Sequence, residues 1–425
     1  MSLEMSLEMS LGNSDLLRQV RLIDPASQRD QVMDIWIEAG QIRAIEPQLE
    51  IPDAQVQDCQ GLVLAPGLVD LYSHSGEPGF EERETLDSLA AAALAGGFTR
   101  LTLLPDTRPA LDDPAQIAQI KAAQRPRNPQ LNCWGALTLG TKGEQMCELA
   151  ELSTAGIAGF TDAQPLSAAL LRRVMDYGQS LNQPMAFWCC DRALAGAGVL
   201  REGGESIRLG LPGIPTMAET APLAALLECV AEIGMPVHLM RISTARSVEL
   251  IGAAKAAGLP ITASVSWMHL LLDVTAAQSY DPSLHLDPPL GNPTDRAALV
   301  QGLQTGVLDA IAVDHSPYSY EEKTVSFAES PPGAIGLELV LPLLWQAFVE
   351  PEIWSALDLW RWLSLRPAEC LRQAPAQIAV GATAELVLFD PKQQWRVSPQ
   401  TLKSRSANTP WLGKALQGRV VKTWC

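Results

Sequence analysis

A chain of 425 residues with 47% hydrophobic content can bury a large core, enough for one barrel and a smaller domain. Its formal net charge of -17 argues against a nucleic-acid or anionic-membrane surface, since both need a basic footprint. No apolar run reaches the length of a membrane span and no basic-then-apolar leader opens the chain, so a cytoplasmic protein with small-molecule or protein partners is expected.

The opening Met-Ser-Leu-Glu repeat carries no core pattern, and residues 1–13 are set aside as a tag-like or disordered extension. β-rich stretches follow at Leu16 to Ile23 and at Val32 to Ile45, the second turning at Gly40. They are expected to pair with Glu385 to Phe389 and Gly418 to Lys422, making a small β-sandwich-like domain from 14–61 plus 376–425. Between these ends, apolar strand candidates at 62–71, 98–104, 131–138, 157–161, 184–190, 236–243, 261–266 and 309–314 alternate with helix patterns. Glu84 to Ala95 reads as a helix closed by Gly96-Gly97, and Asp112-Asp113-Pro114 opens another. Eight β-then-α units predict a closed α/β barrel, the (β/α)8 or TIM barrel, over 62–375. Ser316 to Gly333, rich in proline and charge, is the candidate loop over its mouth. The eight cysteines form no Cys-x-x-Cys pair and indicate neither a disulfide framework nor a zinc ribbon.

The most informative run is Asp70-Leu71-Tyr72-Ser73-His74-Ser75-Gly76-Glu77-Pro78, whose polar residues fall at the C-terminal end of the first barrel strand, where barrel enzymes keep their chemistry. It resembles the Asp-x-His-x-His-x-Arg-Glu-Pro signature of the dihydroorotases, in the cyclic amidohydrolase superfamily, with Tyr72 in place of the first histidine and Gly76 in place of the arginine. Ala95-Gly96-Gly97-Phe98-Thr99, Leu209 to Pro215, Ser243-Thr244, Asp314-His315-Ser316-Pro317 and Asn408-Thr409-Pro410 carry the resemblance along the chain.

The resemblance implies a metal centre built from six positions, which here are Tyr72, His74, Asp162, Trp188, Arg241 and Asp314. His74, Asp162 and Asp314 keep ligand types, with Asp314 the family's proton-shuttling residue; Tyr72, Trp188 and Arg241 replace histidines. Indole has only a donor N–H and guanidinium stays cationic, so Trp188 and Arg241 cannot ligate, and Arg241 is expected to neutralise Asp162 and Asp314 in the metal's place. A Tyr72 phenolate is the one conceivable substitute ligand. The substrate side is altered as well: Gly76 and Asp106 stand where the family binds a carboxylate, and Asp287 stands for an asparagine. His315, His269, Cys189 and Cys190 lie near the mouth and read as structural, and Trp345, Trp354, Trp360 and Trp362 as core or subunit contacts.

The favoured expectation is therefore a non-catalytic dihydroorotase homologue of pyrimidine biosynthesis, without cofactor, serving as an assembly or regulatory subunit and self-associating, with aspartate transcarbamoylase as candidate partner. One rival is a divergent cyclic amidohydrolase holding a single zinc at His74, Asp162 and Asp314. Another is a sensor that binds a metabolite in the altered pocket.

Overall fold

The computed structural model describes residues 14–425; the extension read at 1–13 lies outside them. Five strands open the chain: β1 (Ser14–Asp24), β2 (Arg29–Glu38), β3 (Gln41–Glu46), β4 (Gln55–Asp58) and β5 (Val63–Pro66). The barrel region follows with β6 (Leu68–Ser73), β7 (Phe98–Leu103), β8 (Gln130–Ala136), β9 (Gly159–Thr161), β10 (Met185–Trp188), the short pair β11 (Leu200–Arg201) and β12 (Gly213–Ile214), then β13 (Val237–Met240), β14 (Ile261–Ser266) and β15 (Ala310–Ala312). Two long strands, β16 (Leu386–Arg396) and β17 (Ala415–Trp424), end it.

The terminal strands form one seven-stranded sheet in the order β17-β16-β5-β1-β2-β3, with β4 also on β1. The strand expected over 62–71 divides at Gly67. Its first half, β5, lies between β1 and β16, so the N- and C-terminal hairpins meet through it and not directly as expected. Its second half enters the barrel. Gly67 has to lack a side chain, because a Cβ there would lie 2.2 Å from Thr99. Strand alternation then divides the burial. Leu64, Leu386 and Leu388 fill the sheet's own core with Leu17, Leu22 and Ile35, while Val63, Ala65, Val387 and Phe389 join the barrel's outer layer.

The eight barrel strands run parallel in the order β6-β7-β8-β9-β10-β13-β14-β15, the (β/α)8 architecture. The barrel closes between β15 and β6 partly through a side chain. Val313 N–H donates to Asp70 Oδ1 at 2.9 Å, Asp314 N–H to the Tyr72 carbonyl at 3.1 Å, and His74 N–H to the His315 carbonyl at 2.8 Å. Burial pushes the Asp70 carboxyl up to about 7. The outer helices end where their residues dictate: Leu86–Gly96 is capped by Thr85, whose hydroxyl accepts Ser88 N–H at 3.1 Å, and stopped by Gly97 in the left-handed region at φ 86°. Pro114–Ala122 starts behind Asp113, which accepts Ala115 N–H at 2.8 Å.

Glu84, read as the first helical residue, lies before that cap and is fully buried, accepting from Arg405 N–H at 3.0 Å and from the Ser88 and Ser404 hydroxyls. Trp345, Trp354, Trp360 and Trp362 are all core, packed edge-on or stacked with one another and with Phe348. The mouth loop is tied down by Lys323, whose Nζ donates to the carbonyls of Pro282 and Pro331, and by the Arg83–Glu322 pair.

Candidate functional site at the barrel mouth

The ends of β6, β13 and β15 bring His74, Arg241 and Asp314 to one point. Arg241 Nε and Nη2 donate to Asp314 Oδ2 and Oδ1 at 2.9 and 2.6 Å, and Nη2 also reaches His74 Nε2 at 3.0 Å. A guanidinium has only donors, so His74 Nε2 is the lone-pair side and the ring proton sits on Nδ1, which donates to Asp106 Oδ2 at 2.6 Å. The result is a continuous row, Asp106–His74–Arg241–Asp314. Burial opposes the charge on Arg241, but the Asp314 carboxylate more than offsets that and raises the guanidinium above its ordinary pKa. Burial likewise works to raise Asp106, and His74, which donates to it, together with the nearby positive charge of Arg241 leaves it below the usual carboxylate range.

Asp162 stands apart from this row, contrary to the expectation that Arg241 would neutralise it. Its Oδ2 accepts Thr138 N–H at 2.8 Å and the Thr138 hydroxyl at 2.5 Å, its Oδ1 accepts Gln164 N–H at 3.2 Å, and burial raises its carboxyl. Asp314 takes the Nε and Nη2 edge of Arg241, and Asp162 is satisfied instead by Thr138 and Gln164.

Tyr72 also departs from expectation. It is fully buried, and its hydroxyl turns down into the barrel, accepting Arg241 N–H at 3.0 Å and meeting Ser264 Oγ at 3.2 Å. Burial raises its phenol well above the ordinary value, so it is no phenolate. Below it, Ser264 Oγ lies 2.8 Å from His238 Nε2, and His238 Nδ1 lies 2.8 Å from Thr262 Oγ1. One direction satisfies the whole line: Arg241 N–H to Tyr72, Tyr72 to Ser264, Ser264 to His238 Nε2, and His238 Nδ1–H to Thr262. Burial lowers His238 to about 3, consistent with a neutral ring. The sequence reading missed His238, although alternation along β13 puts it on the inward face with Met240.

Trp188 fills space beside the row. Its ring centroid lies 4.9 Å from the Arg241 guanidinium carbon and 4.5 Å from that of Arg192. Arg192, also missed, follows the helix-capping Asp191 and donates from Nη1 to Asp287 Oδ2 at 2.6 Å. Gly76 leaves no room for a side chain: a Cβ there would lie 2.2 Å from the Glu84 carbonyl oxygen and 2.5 Å from that of Phe80, so the backbone of 80–84 closes over this position. His315 is buried between Gly336 N–H, which donates to its Nδ1 at 3.1 Å, and Glu84. His269 lines the mouth and approaches the Pro288 carbonyl at 3.1 Å. Cys189 packs in the barrel's outer layer, and burial pushes the Cys190 thiol up to about 11.

These residues do not fit a zinc ion. Both nitrogens of His74 and both oxygens of Asp314 are committed to Asp106 and Arg241, and Asp162 is turned to Thr138. Among the described residues no group of three or more His, Cys, Asp or Glu side chains is placed to hold a metal. A cavity of about 200 Å³ lies above the row.

Residues 61–247 match the dihydro-orotase-like family. A probable dihydroorotase-like protein of Synechocystis sp. is 44% identical, covering 95% of this chain and 98% of its own. A dihydroorotase-like protein of Pseudomonas aeruginosa is 40% identical over 95% and 96%, and a dihydroorotase of Pelotomaculum thermopropionicum 36% over 95% and 95%. Among solved structures, the L-hydantoinase (dihydropyrimidinase) from Arthrobacter aurescens shares the fold with a TM-score of 0.83 at 20% identity, over 97% of this chain and 94% of that one. Barrel, terminal sheet and strand-end polar residues together define an amidohydrolase-type (β/α)8 protein. The chain belongs to the dihydroorotase-like family.

Proposed function

We propose that this protein is a non-catalytic member of its family, an assembly or regulatory subunit of pyrimidine biosynthesis in the cytoplasm that self-associates and has aspartate transcarbamoylase as candidate partner. One observation carries the reading: Arg241 takes Asp314 in bidentate contact and caps His74. Hydrolysis of a cyclic amide at neutral pH relies on a metal to bring bound water from a pKa of ~15.7 to ~7. The rival with a single zinc at His74, Asp162 and Asp314 requires Arg241 to leave and Asp162 to turn from Thr138. The partner assignment rests on the family resemblance alone.

Elemental analysis and dihydroorotate hydrolysis, with and without added zinc, test the catalytic half. Stoichiometric zinc together with a zinc-dependent rate that Asp314→Asn abolishes overturns it. A pull-down from native cytosol read by mass spectrometry tests the other half, which fails if aspartate transcarbamoylase is not enriched. The cavity of about 200 Å³ above the row supports a second reading, a metabolite sensor.

A further inference from the structure

Asn408 closes the two ends of the mouth loop on each other. Its Oδ1 accepts Tyr318 N–H at 3.1 Å, while its Nδ2 donates to the Ser316 carbonyl at 2.9 Å and to the Gly333 carbonyl at 3.2 Å. Ser316, Tyr318 and Gly333 all line the cavity, so whatever holds Asn408 shapes its rim. Asn408 ends a strap, 403–408, that rests on two buried carboxylates: Lys403 and Ser404 N–H donate to Glu338 Oε1 at 2.8 and 3.1 Å, and Arg405 N–H donates to Glu84 Oε1 at 3.0 Å. The Ser404 hydroxyl donates to Glu84 Oε2, so one residue bridges both. Among the described residues no lysine or arginine pairs with either carboxylate: His315 Nε2 stands 3.5 Å from Glu84, Arg419 on β17 is the cation near Glu338, and Lys403 and Arg405 are exposed. Two buried carboxylates on one serine resist being charged together, and the one with the weaker support is expected to hold a proton.

We propose that the strap is a proton-dependent latch on the barrel mouth: with the strap seated Glu338 is protonated, and losing that proton loosens the strap and, through Asn408, both ends of the mouth loop. Glu84 is the partner that stays ionised. Burial works to raise it, but His315 and the Ser404 and Ser88 hydroxyls leave it below the usual carboxylate range. Among the described residues Glu338 receives only the two strap amides; burial pushes it up to about 7, with Glu84 adding to the rise and Arg419 opposing it. With the strap lifted, Glu338 meets water and returns toward about 4.3. The seated state therefore binds the extra proton between about 4.3 and about 7, so the latch is tightest at the acid end of that window and loosens as pH rises through it. The inference is independent of the assembly role, and either can fail alone.

Hydrogen exchange of the full-length protein tests it, read by mass spectrometry on peptides over 401–409 and 316–335 and corrected for the intrinsic rate at each pH, with peptides from β2 as the reference for global stability. Opening of both segments is expected to become about tenfold more frequent for each pH unit between about 5 and about 6.5, and to level off above about 7. Glu338→Gln keeps an oxygen for both strap amides and cannot titrate, so it should flatten the profile of both segments. Asn408→Ala should leave the strap's pH dependence in place and remove that of 316–335. The wild-type profile alone decides if a variant misfolds: the proposal is overturned if strap protection, relative to β2, does not change with pH, or if the strap responds and 316–335 does not. It is overturned equally if Glu338→Gln keeps the wild-type slope, or if 316–335 keeps its response in Asn408→Ala.

Discussion

Tyr72 holds Arg241 by its backbone: the phenolic oxygen accepts Arg241 N–H at 3.0 Å, while the Tyr72 carbonyl accepts Asp314 N–H at 3.1 Å and the guanidinium carbon stands 5.7 Å from the Tyr72 ring centroid. Both members of the ion pair sit in the left-handed region, each at φ 55°, a conformation that costs a non-glycine residue about 1–3 kcal/mol. One tyrosine therefore braces both strained strand ends.

Tyr72→Phe removes that brace and leaves Arg241 N–H buried without an acceptor. A loss of about 1–3 kcal/mol is expected, read as a lower urea midpoint at unchanged slope. A midpoint equal to the wild type's would show that the hydroxyl does not hold the pair.

Arg241→Ala leaves Asp314 buried and uncompensated, which typically costs about 3–5 kcal/mol. Exposed Arg172→Ala serves as the control, expected to change stability by less than about 0.5 kcal/mol. Arg241→Met alone should also be costly, whereas Arg241→Met with Asp314→Leu should recover most of the loss. Thermal midpoints that do not separate Arg241→Ala from the control would refute the pairing.

Two buried groups give opposite pH slopes. Asp70 is raised to about 7 from an unfolded value of about 3.9, so the folded state binds more protons between those limits and stability falls as pH rises across them. His238 is lowered to about 3 from about 6.5, so the unfolded state binds more protons there and stability falls as pH drops. Compared with the wild type, Asp70→Asn should lose stability more steeply on acidification from about pH 6.5 to about pH 4.5, and His238→Gln less steeply. Urea midpoints at both pH values check the signs, and parallel shifts in all three proteins would contradict the assignment.

Histidines restored together at 72, 188 and 241 should recover measurable zinc after dialysis, since they free Asp314 and His74 as well as adding ligands. Any one alone should not. Elemental analysis of the four variants decides between them.

The barrel was legible because eight apolar segments alternate with capped helices, and Asp314, His74 and Arg241 were placed by a family pattern that fixes strand ends. Burial and reach were not legible. Nothing in the one-dimensional pattern says that Asp162 turns to Thr138, that Asp106 accepts the His74 Nδ1–H, or that Gly67 divides one apolar run between two sheets, because each depends on a contact between residues distant in sequence. The Tyr72–Ser264–His238 line was missed because a lone histidine inside an apolar strand carries no local signal, only an inward face.

The closed backbone at Gly76 limits what this end of the barrel can accept. No side chain can simply be placed at position 76: even a Cβ meets the Glu84 and Phe80 carbonyls, and Glu84 is pinned in turn by Ser88, Ser404 and Arg405. A side chain there would first require that loop to be rebuilt, with its anchors at nearby Ser88 and in the distant 404–405 segment. Change at this end of the barrel is therefore open to the side chains around position 76 and closed at position 76 itself.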